Sequence, residues 1–135
     1  MMRHLTLVSL EALAGTATAS AFSGRIPTLE RVAASGLTLK IASMSAIDQG
    51  CQSLGPMTGG LVETPRNGRV GVQQGRNFPK FSTLNTRSRC NTGKLLATLV
   101  LYSPAAGFIG EDDFAIEVVG PLGQVGRARY HVSVR

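Results

Sequence analysis

The segment from Tyr102 to Phe114 restricts this chain more than any other, because it forces a reversal between two extended runs. Pro104 fixes its own φ and cannot donate to a ladder, while Gly107 and Gly110 can take the positive φ that a reversing backbone needs. Phe108 sits between those glycines, an apolar residue in a polar turn, and is expected to fold under the loop onto a core. On one side, Leu95 to Tyr102 is apolar at both alternating sets of positions, the mark of a central strand covered on both faces. On the other, Phe114, Ile116 and Val118 alternate with Ala115 and Glu117, so the first set points inward. Beyond the turn Gly120-Pro121-Leu122-Gly123, the residues Ala128, Tyr130, Val132 and Val134 oppose Arg127, Arg129, His131 and Ser133. A period of two recurring at this spacing predicts a β-sandwich.

The rest of the chain agrees with that class. Its 135 residues fit one domain, and 16 glycines and 6 prolines without tryptophan accompany frequent turns, not long helical periods. Leu37 to Ala42 alternates, with Leu37, Leu39 and Ile41 on one face and Thr38 and Lys40 on the other. Residues 43 to 60 read as loop with one short extended piece. Pro65-Arg66-Asn67-Gly68 is a strong hairpin signal, so two short strands should flank it. From Gln73 to Lys94 the period dissolves, leaving Phe78, Pro79 and Phe81 as anchors of the longest irregular segment. Residues 22–36 read as an N-terminal arm in which Thr28 to Ser35 suits a short helix capped by Thr28. The expectation is an all-β fold: a single sandwich of about seven strands at 37–135.

Ahead of the arm, Arg3 and His4 precede an apolar run, Leu5 to Ala19, and the small-residue pattern Ala19-Ser20-Ala21. This is the layout of an export signal at 1–21, blemished by Glu11, and the competing reading is an ordinary N-terminal helix. The expected protein is periplasmic or secreted and keeps no transmembrane span after cleavage. Cys51 and Cys90, the only cysteines, then read as one disulfide. It would close a loop of about 40 residues and stabilise the fold by roughly 4 kcal/mol in the chain-entropy model. Two free thiols are expected only if the export reading fails.

The combined pattern Pro65-x-x-Gly68-x-Val70 and Tyr102-x-Pro104-x-x-Gly107-Phe108-x-Gly110-x-Asp112-x-Phe114 resembles bacterial Ig-like and cadherin-like repeat domains of exported proteins. The likeness runs from about Leu61 to Val134. It implies an Ig-like sandwich used in binding, adhesion or envelope structure, without catalysis. The segment between the signatures is longer than a hairpin needs, and it carries Cys90 and most of the positive charge.

Arg66, Arg69, Arg76, Lys80, Arg87, Arg89 and Lys94 lie in a stretch, Thr64 to Gly110, with no Asp or Glu, in a chain of net charge +6. The sharper reading is an anion contact for a protein or an envelope glycan or lipid; the simpler is a solvated basic loop that keeps the domain soluble. Few aromatics interleave with this charge, which argues against nucleic acid. The runner-up function is a small periplasmic inhibitor or ligand-binding protein using the loop 73–94 on an anionic partner. Glu111, Asp112 and Asp113 invite a calcium site, but successive strand side chains point to opposite faces, so Asp112 is expected instead to accept backbone N–H groups in the corner. No CxxC is present, and His131 lies on an outward face, leaving little basis for a catalytic triad, a metal or another cofactor.

Overall fold

The computed structural model describes residues 26–135, so the export-signal reading at 1–21 lies outside the described residues. Its strands are β1 (Thr28–Ala33), β2 (Leu39–Met44), β3 (Thr58–Glu63), β4 (Gly68–Asn77), β5 (Leu95–Pro104), β6 (Gly110–Val119) and β7 (Val125–Val134). They form a large sheet of order β1-β7-β6-β3 and a small sheet of order β2-β5-β4. Between β4 and β5 lies a short 3₁₀ helix, Thr86–Thr92. The protein is an all-β sandwich with one disulfide, Cys51–Cys90.

The core follows the period of two. Val100 and Tyr102 from β5 meet Phe114 and Ile116 from β6 and Tyr130, Val132 and Val134 from β7. Three rings stack through it: Tyr102 on Phe114 at 5.8 Å and Phe114 on Tyr130 at 5.3 Å between centroids. The Arg31 guanidinium caps the column, 5.5 Å from the centre of the Tyr130 ring. Burial pushes the Tyr130 hydroxyl's pKa upward, with the Arg31 charge working against that shift.

Four local expectations change. Gln73 to Asn77, expected to open the irregular segment, continue β4 instead and pair with Leu99 to Leu95, so the irregular connection begins only at Phe78. Thr28 to Ala33 is a strand, not a helix, and runs parallel to β7 with Leu29 beside Tyr130 and Ala33 beside Val134. A helix here would have left the edge of β7 unpaired. Pro65-Arg66-Asn67-Gly68 is not a hairpin, because β3 pairs with β6 and β4 with β5; the turn carries the chain between sheets. Gly68 serves space there: an added Cβ would lie 2.7 Å from both the Ser103 carbonyl and the Tyr102 ring. Finally, the alternation of β2 is broken by a bulge between Lys40 and Ala42, while Leu37 lies outside the strand and is exposed. The extra residue turns Ile41 and Ala42 both toward the core.

The Tyr102–Phe114 segment crosses between the sheets, with Gly107 and Gly110 at φ 74° and 144° and Phe108 packed against the core. Asp112, buried at 3% exposure, ties this crossing to the other one. One carboxylate oxygen accepts the Arg66 and Asp113 backbone N–H groups at 2.9 and 3.0 Å. The other accepts the Asn67 N–H at 3.1 Å and the Tyr102 hydroxyl at 2.7 Å. Asp112 thus serves mainly a turn about 45 residues away, where a local Asx-turn was expected. Burial, and then the bond to Asp112, pushes the Tyr102 hydroxyl's pKa far upward, so it stays a donor.

Candidate anion-contact surface

Charge divides between the sheets. On the outer face of the large sheet, register opposes Glu117 to Arg127, Asp113 to His131 and Glu111 to Ser133. Arg127 meets Glu117 at 2.7 Å, and Arg129 makes two bonds of 2.7 Å to Glu63. A bulge in β3 between Leu61 and Glu63 permits this second pair, since it turns Glu63 outward while Leu61 stays opposite Ile116. Ala115 lies between Glu63 and Arg129 in the ladder and is buried beneath their ion pair at 2% exposure. The side-chain bonds from Arg129 to Glu63 raise the Arg129 pKa.

His131 sits between Asp113 at Nδ1 and Glu111 at Nε2, each 2.7 Å away. Only an imidazolium donates from both nitrogens, and the bond to Asp113 is the largest cause of its raised pKa. The acidic cluster is therefore divided: Glu111 and Asp113 hold His131, and Asp112 is turned inward to the backbone. Among the described residues no group of His, Cys, Asp or Glu is placed to hold a metal ion.

The small sheet and the connections around it carry Lys40, Arg66, Arg69, Arg76, Lys80, Arg87, Arg89 and Lys94, with Asp48 as their one carboxylate. Asp48 itself accepts the Gly50 and Gln52 backbone N–H groups. The cations singled out in the sequence do not make one patch. Arg69 lies opposite Ser103 and Arg76 opposite Leu96, about 23 Å apart along the strand. At the corner end, Arg66 and Arg69 line a hollow of about 590 Å³ with Thr38 and Ser103, whose hydroxyls bond at 2.7 Å. At the far end the disulfide fastens the irregular loop.

That loop is well braced. The Cys51–Cys90 bridge links it to the 45–55 segment, and Cys90 is buried. Asn85 caps the 3₁₀ helix by accepting the Arg87 N–H at 2.8 Å. The Asn91 side chain bonds both backbone groups of Phe81, at 2.9 and 2.8 Å. Three of the cations belong to this bracing: Arg87 donates to the Ile47 carbonyl at 3.1 Å, Arg76 donates to the Lys94 carbonyl at 2.8 Å, and Lys94 lies 5.7 Å from the centre of the Phe78 ring. The side chains of Lys80 and Arg89 make no hydrogen bond or ion pair among the described residues, and both residues are exposed. Phe78 and Leu84 are exposed beside them.

Sequence reasoning missed the Glu63–Arg129 and Thr38–Ser103 pairs, which join residues 66 and 65 positions apart and are visible only once the ladders are known. Comparison with protein-family models, curated proteins and solved structures finds no match for this chain.

Proposed function

We propose that this chain is a non-enzymatic, exported Ig-like or cadherin-like domain that acts by binding, its small-sheet side contacting an anionic envelope glycan or lipid or an acidic protein. The observation that carries this reading is the division of charge: the outer face of the large sheet pairs Arg127, Arg129 and His131 with carboxylates, and among the described residues no cation on the small-sheet side has an acidic side-chain partner. Lettering β1 to β7 as A to G gives A-G-F-C and B-E-D, which differs from the constant-type Ig arrangement only in that the first strand joins the last. The disulfide supports export. The non-enzymatic part is supported by His131, whose ring nitrogens are both committed to carboxylates. The bracing of the loop favours a related reading, a small periplasmic inhibitor or ligand-binding protein that uses 73–94 as its contact element.

Retention on a heparin column tests the proposal. Replacing Lys80 and Arg89 by Ala should lower the salt needed for elution, and Arg69→Ala should do so through the corner hollow. Arg127→Ala, which removes a paired cation, should change it least. Equal losses from all three, or no retention of the wild type, would contradict the reading. The export claim predicts a mature N-terminus near Phe22 by mass spectrometry, and an intact Met1 on the exported protein would sink it.

A further inference from the structure

The inward side chains of β7 shrink toward the start of the strand. Tyr130 fills its place and Ala128 is partly buried, but Gly126 has no side chain, and a Cβ added there would meet nothing within 4 Å. Opposite them the chain supplies Met44, the last residue of β2, and Met57, just before β3. The result is a slot of about 340 Å³ between the sheets, lined by Met44, Met57, Ile116, Val118, Ala128 and Tyr130 among others. A second hollow, of about 300 Å³, is lined by the same two methionines with Phe78, Pro79, Lys80 and Phe81. No carboxylate lines either one.

Two unbranched thioether side chains thus form the partition between a mainly apolar slot, whose one cation, Arg127, is paired with Glu117, and a hollow that carries Lys80. Methionine adapts easily to a neighbour, so this partition can part around a ligand. Its backbone is fixed, since the Met57 carbonyl accepts the Thr98 hydroxyl at 2.8 Å and the Gln74 amide at 3.1 Å. Each hollow reaches the lower end of the range of about 300–1,000 Å³ common for small-molecule sites.

We infer that the two hollows are one binding site for a single-chain amphiphile with an anionic head, of the fatty-carboxylate class. The acyl chain lies in the slot between the sheets, passes Met44 and Met57 and the rings of Phe78 and Phe81, and brings its head to Lys80. Charge complementarity selects this occupant over a neutral one and seats its head at Lys80, an exposed ammonium without an acidic partner among the described residues. The slot's Arg127 is already held by Glu117, and no acid lines either hollow. The inference does not rest on the proposed contact with an anionic partner.

Calorimetric titration of monomeric dodecanoate into the full chain, with its disulfide formed, tests it. Saturable binding to one site per chain is expected. Gly126→Phe fills the slot from a position with open space and no positive φ, so the variant should fold, as thermal unfolding will show. It should bind more than about tenfold more weakly, since each methylene left in water weakens binding by about fourfold. Lys80→Glu should cost about threefold and abolish the preference for dodecanoate over dodecanol. Should Gly126→Phe fail to fold, Gly126→Val reads the same slot with less added volume. The inference is overturned by a wild type without saturable binding, by full binding to a folded Gly126 variant, or by equal affinity of the wild type for dodecanol and dodecanoate.

Discussion

The outer face of the large sheet and the small-sheet side of the sandwich use arginine differently. On β7, Arg127 is held at 2.7 Å by Glu117 of the adjacent β6, and Arg129 is held at 2.7 Å by Glu63 of β3, across β6. Around the small sheet, Arg76 and Arg87 donate to carbonyls, while the side chains of Arg69, Lys80 and Arg89 make no hydrogen bond or ion pair among the described residues. The first arrangement spends charge on register, since opposed ion pairs favour one strand alignment over its neighbours. The second leaves charge for something outside the domain.

The contrast can be strained first at Asp112, a large-sheet carboxylate turned to backbone N–H groups and the Tyr102 hydroxyl instead of a cation. Asp112→Ala would strand the buried Tyr102 hydroxyl and leave the partly buried Arg66 and Asn67 N–H groups without their acceptor. A loss of about 3–5 kcal/mol is expected in urea unfolding, because unsatisfied buried donors cost their full desolvation and several go together. A loss of under about 1 kcal/mol would mean that the two crossings hold without it.

A smaller effect belongs to the outer ion pairs. Glu63→Ala should lower the thermal midpoint slightly at low salt, and the deficit should shrink as salt is raised, the behaviour of an exposed pair. Ala115→Leu should do the same, since a longer side chain would lift Arg129 from Glu63. Should the Glu63→Ala deficit be unchanged by salt, packing over Ala115 and not charge holds that face.

The smallest effect is the pH response of His131. Its folded pKa lies above the ordinary 6.5, so its stabilising contribution is complete below about pH 6.5 and is lost as pH rises through the raised value. The urea midpoint of the wild type should therefore carry a falling component in that window, and His131→Gln should lack it. Identical profiles for the two proteins would show that Glu111 and Asp113 do not bind the charged ring.

What the sequence disclosed was the alternation. Phe114, Ile116, Val118 and the β7 set are legible as inward faces because neighbouring positions differ in polarity, and the glycines and proline of the corner announce its backbone. β1 was hidden because Glu30 and Arg31 interrupt its apolar residues, and a parallel edge strand draws its partner from the far end of the chain. The bulges in β2 and β3 were hidden because an extra residue is defined by the opposing ladder, not by its own strand. At the Pro65 turn Asn67-Gly68 has the chemistry of a hairpin; only Tyr102 and Ser103 reveal that Gly68 is there for room. The basic residues were visible as a run, but their partition between the two ends of β4, and the enlistment of Arg76, Arg87 and Lys94 as braces, needed the register and the loop.

The central claim is that the domain meets an anionic partner through its small-sheet side. Amide chemical-shift mapping with a short heparin-derived oligosaccharide tests it most directly. The account predicts shifts concentrated at residues 78–94, with a second group around Arg66, Arg69 and Thr38, and little change along β7. Shifts centred on Arg127 to Ser133, or none at a saturating concentration, would contradict it.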